Sequence, residues 1–548
     1  MRLRRPRLPS FSAFAAAMPT RPASGGSGPF RTRVVLPAVL VALVGGLVPV
    51  TLVAARPSIQ MQGLPQGAVV GADRLADLKV RVAADGAATE DVRVRLDGKP
   101  LQAKPEDGTL VVDLPEVSDG RHTLSVRAKS LFGLASAATQ RTFTVDTKAP
   151  TLDVPGQLWA SSFTEPFTLE GKALGATRVS VGGERVQVSD GAFTVQVARP
   201  PATVELTATD AAGNTTRETV SVGVEHPGMR AVHMSIYAWQ SDALREPIMD
   251  MIRAGKINTI ELDIKGEAGY IGYDSDVPLA DKINADRDYY NVEKVAEKLD
   301  KMGVRLVGRL VCFQDHVLAE AAWKSGHRER VVQTPGGSPF SGGYGAFAFT
   351  NFANEQVRQY NIDLAVEAVK RGFDGILFDY IRRPDGYRDN MVFPGLDEKT
   401  PSESITAFVK KSAQAIHEAG GFVGVSVFGI AATRPESVAQ NIPQMAKYAD
   451  YISPMVYPSH WGRGEYGVAR PNSQPYKIVK RSLKDFKKAV EGTDAVIIPW
   501  LQDFSLGVAY GPEEVHAQIE AARDIGLDSF LLWDAGVTYT SAALDPPG

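Results

Sequence analysis

The chain has 548 residues, well past the roughly 250–300 at which one hydrophobic core stops growing, so several domains are expected. A hydrophobic share of 44% beside 22% charged residues excludes wholesale disorder, and 60 Lys+Arg against 63 Asp+Glu excludes a nucleic-acid binder held by bulk positive charge. The 51 glycines and 35 prolines follow no G-X-Y period, which excludes a collagen-like rod.

Charge is unevenly placed along the chain. Residues 1–33 carry no charge except arginine (Arg2, Arg4, Arg5, Arg7, Arg21, Arg31 and Arg33) and read as a basic cytoplasmic tail. Residues 34–55, VVLPAVLVALVGGLVPVTLVAA, hold no charge and are closed by Arg56. As a helix this run spans about 33 Å, enough for a hydrocarbon core of about 30 Å. The basic flank predicts that the N-terminus stays inside and the rest is exported through a single-pass transmembrane helix. A cleaved signal peptide is the alternative, since Val53-Ala54-Ala55 resembles a cleavage site. Either way the remainder is expected outside the cytoplasm. The one cysteine, Cys312, allows no intrachain disulfide, and its apolar setting LVCFQD predicts a small buried hydrophobe.

Residues 56–147 and 148–226 show short alternating runs, among them DLKVRV, VRVRLDG, TLVVDL, HTLSVRA and RTFTVD, as half-buried antiparallel strands do. Asp97-Gly98 and Gly182-Gly183 are hairpin signals. The two stretches share one order of strands and turns, with DTKAPTLDVP between them, which predicts two all-β immunoglobulin-like sandwiches. No aromatic cluster suited to sugar appears in either copy, so a spacer is expected in preference to a carbohydrate-binding module.

From 228 to 548 apolar runs alternate with amphipathic segments. VHMSIYA, INTIELDIK, VRLVGRLVCF, FDGILFDYI, FVGVSVFG, DYISPMVY, AVIIPWLQD and DSFLLWDA read as eight strands, which predicts an α/β (β/α)8 TIM barrel with its eighth helix missing or vestigial. Chemistry in this fold sits at the C-terminal ends of the strands. Those ends carry Tyr237, Asp263, Asp315, Asp379, Ser426 with Phe428, Tyr457, Asp503 and Asp534. Long segments after the second and third strands add Tyr270, Tyr273, Trp323, Tyr344 and Phe349. Aromatics over an acidic mouth suit sugar, since rings stack on pyranose faces and carboxylates bond hydroxyls.

Individual residues keep alternatives. Glu261, Asp263 and Lys265 share strand parity, so a buried ion pair inside the barrel could explain them. Asp374 could cap the turn into the fourth strand, and Asp315 could cap the helix VLAEAAW. His460 lacks a nearby second histidine and suits a hydrogen bond to substrate more than a metal. Asp379 ends the fourth strand after GILF, Tyr380 should point the other way, and Arg382 could keep Asp379 ionised as nucleophile or base. The acid would be a more enclosed carboxyl, Asp263 or Asp503.

GFDGILFDYIRRP, DYISPMVYPSHW, VIIPWLQDF, IELDIKGEAG and VGRLVCFQD resemble the DUF4015 family of glycoside hydrolase barrels, over nearly all of 232–533. The resemblance implies a TIM-barrel glycosidase with Asp263, Asp379, Arg382, Tyr457, His460 and Asp503 lining the site. The chain departs from the family pattern at Gly375, Leu377 and Arg383 on and after the fourth strand and at Ser426, where an aspartate is usual. A wider likeness to chitinase-type barrels breaks at Ile381, the position of their catalytic glutamate, which argues against acetamido-assisted chemistry.

The reading is therefore a membrane-anchored extracytoplasmic glycoside hydrolase acting on a wall or capsular polysaccharide. Its expected catalytic residues are Asp379, Asp263 and Asp503. Arg382, Tyr457, His460, Trp500, Trp533, Asp534 and Asp315 are expected to bind substrate. No cofactor motif is found, no metal is expected because the eight histidines form no ligand cluster, and no nucleic-acid partner is expected. A non-catalytic glycan-binding barrel and a structural surface protein remain as alternatives. Catalysis needs two carboxylates about 5–10 Å apart in one cleft, whereas binding does not.

Overall fold

The computed structural model describes residues 56–130, 134–397 and 399–544. The basic tail and the apolar 34–55 segment lie outside the described residues. Among those described, no helix is long and apolar enough to cross a membrane.

Two pairs of sheets come first. One pair joins a four-stranded sheet (58–62, 79–85, 109–113, 104–106) to a five-stranded one (68–70, 139–145, 120–128, 92–96, 99–101). Alternation makes the core: Val92, Val94 and Leu96 are buried while Arg93 and Arg95 face solvent. The second pair joins a three-stranded sheet to a five-stranded sheet around Leu169, Val179, Leu206 and Ala208. The sequence repeat is a repeat of topology. In each pair the first strand's chain crosses to the opposite sheet and pairs there in parallel with the last strand, Ala68–Val70 with 143–145 and Gln157–Ala160 with 221–224. Both residues of the Asp97-Gly98 and Gly182-Gly183 turns have positive φ, as a type I′ hairpin requires.

The remaining strands are β1 (Arg230–Met234), β2 (Thr259–Lys265), β3 (Arg305–Val311), β4 (Gly375–Asp379), β5 (Phe422–Phe428), β6 (Tyr451–Met455), β7 in two pieces (Val496–Ile497 and Trp500–Gln502) and β8 (Phe530–Trp533). All pair in parallel, in the order 5-4-3-2-1-8-7-6, and β5 pairs with β6 to close the barrel. Residues of one parity (Ile260, Leu262, Ile264) pack outward under the helices. Those of the other parity (Ala231, Val307, Leu377, Leu531) fill the interior. The longest surrounding helices are α1 (Asp242–Arg253), α2 (Val292–Asp300), α3 (His316–Lys324), α4 (Glu355–Lys370), α5 (Pro401–Ala419), α6 (Pro475–Ala489) and α7 (Pro512–Arg523). After β8 the described chain makes one short turn of 3-10 helix, Ser541–Ala543.

The second β module docks at the N-terminal end of the barrel strands. Phe163 stacks on His417, near the end of α5, with centroids 4.4 Å apart, and meets Phe422, the first residue of β5, edge-on at 5.0 Å. Gln157 donates to Asp494 at 2.9 Å on the same side. This junction lies at the end opposite the mouth. Phe163→Ala is expected to weaken it by about 1 kcal/mol, the worth of an aromatic pair. Limited proteolysis should then cut residues 225–228 faster while the unfolding midpoint of the barrel stays unchanged; a matching loss of barrel stability would show that the module is part of its core.

Candidate active site

Strand parity turns Glu261 and Asp263 of β2, Arg309 of β3 and Asp379 of β4 into the interior, C-terminal to the apolar layer. Arg309 is 2% exposed and is the hub. Its Nε donates to Asp379 Oδ2 at 2.9 Å, Nη1 to Asp263 Oδ1 at 2.8 Å, and Nη2 to Glu267 Oε1 at 2.6 Å. The Tyr380 N–H donates to the other Asp379 oxygen at 2.7 Å, so both Asp379 oxygens are fixed. The Trp533 ring packs 5.2 Å from the guanidinium. One planar cation thus carries three carboxylates, each through one oxygen, a use of the several fixed donors of arginine.

The shared cation does not treat these groups alike. Arg309 pulls Glu267, whose side chain is 42% exposed, down to about 2. Burial outweighs the same cation at Asp263 and pushes its carboxyl up to about 6. Asp263 and Asp379 keep similar small openings to solvent, 4% and 5% of their side chains.

A cavity of about 400 Å³ opens over the hub. Glu267, Asp379 and Arg309 form its charged side, and Tyr344, Tyr380, Phe428, Tyr457, Trp500 and Trp533 contribute aromatic surface. Trp500 and Trp533 meet at 90° with centroids 5.6 Å apart. Ser426 accepts a 3.0 Å hydrogen bond from Trp500 Nε1, so this serine holds an indole in the wall. His460, bonded to Ser459 at 3.0 Å, also reaches the cavity.

Several expectations are corrected. Arg382 is not the partner of Asp379. It is buried against Phe428, Tyr380 and Phe349 and bonds Asp385 at 3.2 Å, supporting the aromatic wall from behind. Tyr380 does not point away, because its φ of 51° ends the strand geometry after Asp379 and swings the ring into the cavity wall. Both Asp503 oxygens accept from Thr540, at 2.6 and 2.7 Å; this carboxyl fastens the C-terminal segment and is absent from the cavity wall. Asp534 accepts from the Gly536 N–H beside it and is likewise outside the wall. Asp315 is fully buried, where it caps α3 through Leu318 N and binds Lys265 Nζ at 2.6 Å. A register shift after Asp263 sends Lys265 out of the interior to Asp315 and to Asn361 of α4, so the three charges of β2 do not share one side. Of the aromatics expected on the long segments after β2 and β3, Tyr344 alone lines this cavity.

Arg309 and Glu267 were not singled out in the sequence, although both lie in the motifs VGRLVCFQD and IELDIKGEAG. The parity of Arg309 with Val307 and Val311 was the available signal. The expectation of no histidine cluster also missed His233, which with Glu261 and Asp263 offers ligand atoms within 4.8 Å of one another. The contact of His233 Nδ1 with Glu261 Oε2 is 2.6 Å, a hydrogen bond, whereas ligands on one tetrahedral ion stand about 3.3 Å apart. With Arg309 adding positive charge beside Asp263, the trio fits a hydrogen-bonded array better than a cation site.

Fold and site together define a glycosidase-type (β/α)8 barrel. The chain belongs to the DUF4015 family, whose model, described as "Putative glycosyl hydrolase domain", matches residues 231–539. Similar solved structures include a hypothetical protein from Ruminiclostridium thermocellum ATCC 27405 (29% identity, 35% of this chain and 96% of that one, TM-score 0.32). Another is the PgaB (BpsB) glycoside hydrolase domain from Bordetella bronchiseptica (14% identity, 57% and 95%, TM-score 0.43). The spore cortex-lytic enzyme SleL of Bacillus megaterium QM B1551 is a third (11% identity, 61% and 78%, TM-score 0.36). No curated protein matches the chain.

Arg309→Met would leave three carboxylates facing one another without their cation. The expected cost is about 3–5 kcal/mol in denaturant unfolding of the barrel near neutral pH. Because Glu267 is depressed in the folded state, its stabilisation is present above its ordinary value of 4.5 and is lost as pH falls toward about 2. The penalty of the variant should therefore shrink below about pH 4; a penalty independent of pH would mean that Arg309 acts by packing alone.

Proposed function

We propose that this chain hydrolyses glycosidic bonds of a wall or capsular polysaccharide outside the cytoplasm, with Asp379 and Asp263 as the reacting pair. The observation that carries the reading is the set of carboxylates on one guanidinium: Asp379 and Glu267 line the aromatic cavity with Arg309, and Asp263 lies just beneath its wall on the same cation. Carboxylates bonded to a single guanidinium cannot stand farther apart than the about 10 Å that two-carboxylate hydrolysis tolerates. Asp379, fixed at both oxygens by Arg309 and Tyr380, attacks the anomeric carbon or draws a proton from water. Asp263, whose carboxyl sits at about 6, protonates the leaving oxygen. Glu267, loop-borne, charged and half-exposed, is placed to bond sugar hydroxyls while the indoles take pyranose faces.

A pure glycan binder needs the aromatics but gains nothing from a proton-bearing carboxyl beside a fixed carboxylate, and this favours catalysis. The seven N-terminal arginines and the uncharged 34–55 run support export and anchoring. Mass analysis of the mature chain tests that part: an N-terminus at Arg56 would replace the anchor by a cleaved signal.

Asp379→Asn is expected to lower turnover about 10³-fold, or about 4 kcal/mol of barrier, on glycan released from walls or capsules. Some stability is lost too, since a neutral amide cannot match the charge of Arg309, so rates are compared on folded protein. In the parent chain activity should fall as pH rises through about 6, where Asp263 loses its proton. Asp503 also sits near 6, so Asp503→Asn should leave that limb in place while Asp263→Asn removes it. Full activity of folded Asp379→Asn would leave this barrel a binder.

A further inference from the structure

We infer that His233, with its tautomer fixed by Glu261, is a positioning residue that aims an N–H at Asp263 from inside the barrel; this rests on the reading of Asp263 as the proton-bearing carboxyl. The hydrolysis scheme uses neither Glu261 nor His233, yet both occupy interior positions where a barrel ordinarily places aliphatic side chains. His233 is 2% exposed and Glu261 0%.

The contacts fix the direction of the array. Glu261 Oε2 lies 2.6 Å from His233 Nδ1, and Glu261 Oε1 is buried with no hydrogen-bond partner. An ionised carboxylate with one bare oxygen in a dry interior is the costlier arrangement, so the neutral acid fits: its Oε2–H donates to Nδ1, and Oε1 remains a carbonyl oxygen. A neutral imidazole that accepts at Nδ1 carries its proton on Nε2. Nε2 faces Asp263 Oδ2 at 3.7 Å, the Asp263 oxygen that Arg309 leaves open. The ring is wedged by Trp533, with centroids 4.4 Å apart, and the His233 backbone carbonyl accepts from Tyr539 Oη at 2.7 Å.

The charged and titratable neighbours agree with this assignment. Glu261 and Asp263 face the ring from β2, Glu267 from the following loop, Arg309 from β3 and Asp379 from β4, while Tyr451 and Tyr457 of the β6 region and Tyr539 of the C-terminal segment lie near Glu261. Burial lowers His233 to about 4 and holds Glu261 well above the carboxylate range, so both stay neutral near pH 6. The Nε2–H dipole then opposes the desolvation that raises Asp263. Without it Asp263 would hold its proton to still higher pH.

The test reads Asp263 directly, by the ¹³C carboxyl shift of full-length protein labelled at aspartate and assigned with Asp263→Asn. His233→Leu is expected to move the Asp263 midpoint up by about one pH unit. His233→Gln, whose side-chain amide reaches the position of Nε2–H, should return it to within about 0.3 of the parent. Where His233→Leu does not fold, Glu261→Met serves: it keeps the imidazole but frees its tautomer, and the midpoint should again shift upward. An Asp263 midpoint unchanged in a folded His233→Leu or Glu261→Met variant overturns the inference. The proposed chemistry fails separately, if the pH–rate limb of the parent does not follow the Asp263 midpoint.

Discussion

Three carboxylates, two from barrel strands and one from the loop after β2, share a single guanidinium, and the arrangement of the mouth follows from that sharing. Without Arg309, Asp263, Glu267 and Asp379 would repel one another in a space with little water to screen them. With it, each takes a fixed place around the edge of one planar guanidinium. The cation also separates their chemistry. It dominates at the half-exposed Glu267 and is outweighed by burial at Asp263, so one guanidinium supports a charged carboxylate and a proton-bearing one within the same network.

The aromatic wall depends on a second set of buried polar contacts. Ser426 holds the Trp500 indole, and Arg382 lies flat against Phe428 at 4.3 Å while Asp385 neutralises it from the side. Ser426, which in the sequence looks like a departure from the family pattern, therefore serves the shape of the cavity. The second β module packs on the opposite end of the barrel, around Phe163, Phe422 and His417.

Much of the fold was legible because period and parity are strong signals. All eight barrel strands follow from apolar runs with helical segments between them, and the paired hairpin turns follow from Asp-Gly and Gly-Gly. The site was legible where it obeys strand geometry, as at Asp263, Asp379, Trp500 and Trp533. It was hidden where geometry is broken. The left-handed Tyr380 breaks strand alternation directly after Asp379, and the register shift after Asp263 sends Lys265 outward. Arg309 was hidden for another reason: an arginine within an apolar strand carries no mark of the three acids, distant in sequence, that hold it there. Asp315 and Asp503 show the converse. Their strand-end positions suggested function, while the bonds to Lys265 and Thr540 that occupy them come from segments the local sequence does not reveal.

The account is tested most directly by a crystal structure of the Asp379→Asn chain with a bound oligosaccharide cut from a polysaccharide that the parent hydrolyses. The account predicts one sugar ring against Trp500 or Trp533, its glycosidic oxygen within hydrogen-bond reach of Asp263, and its anomeric carbon facing the residue 379 side chain. An oligosaccharide seated away from Arg309, on the β modules or the outer surface of the barrel, would contradict it.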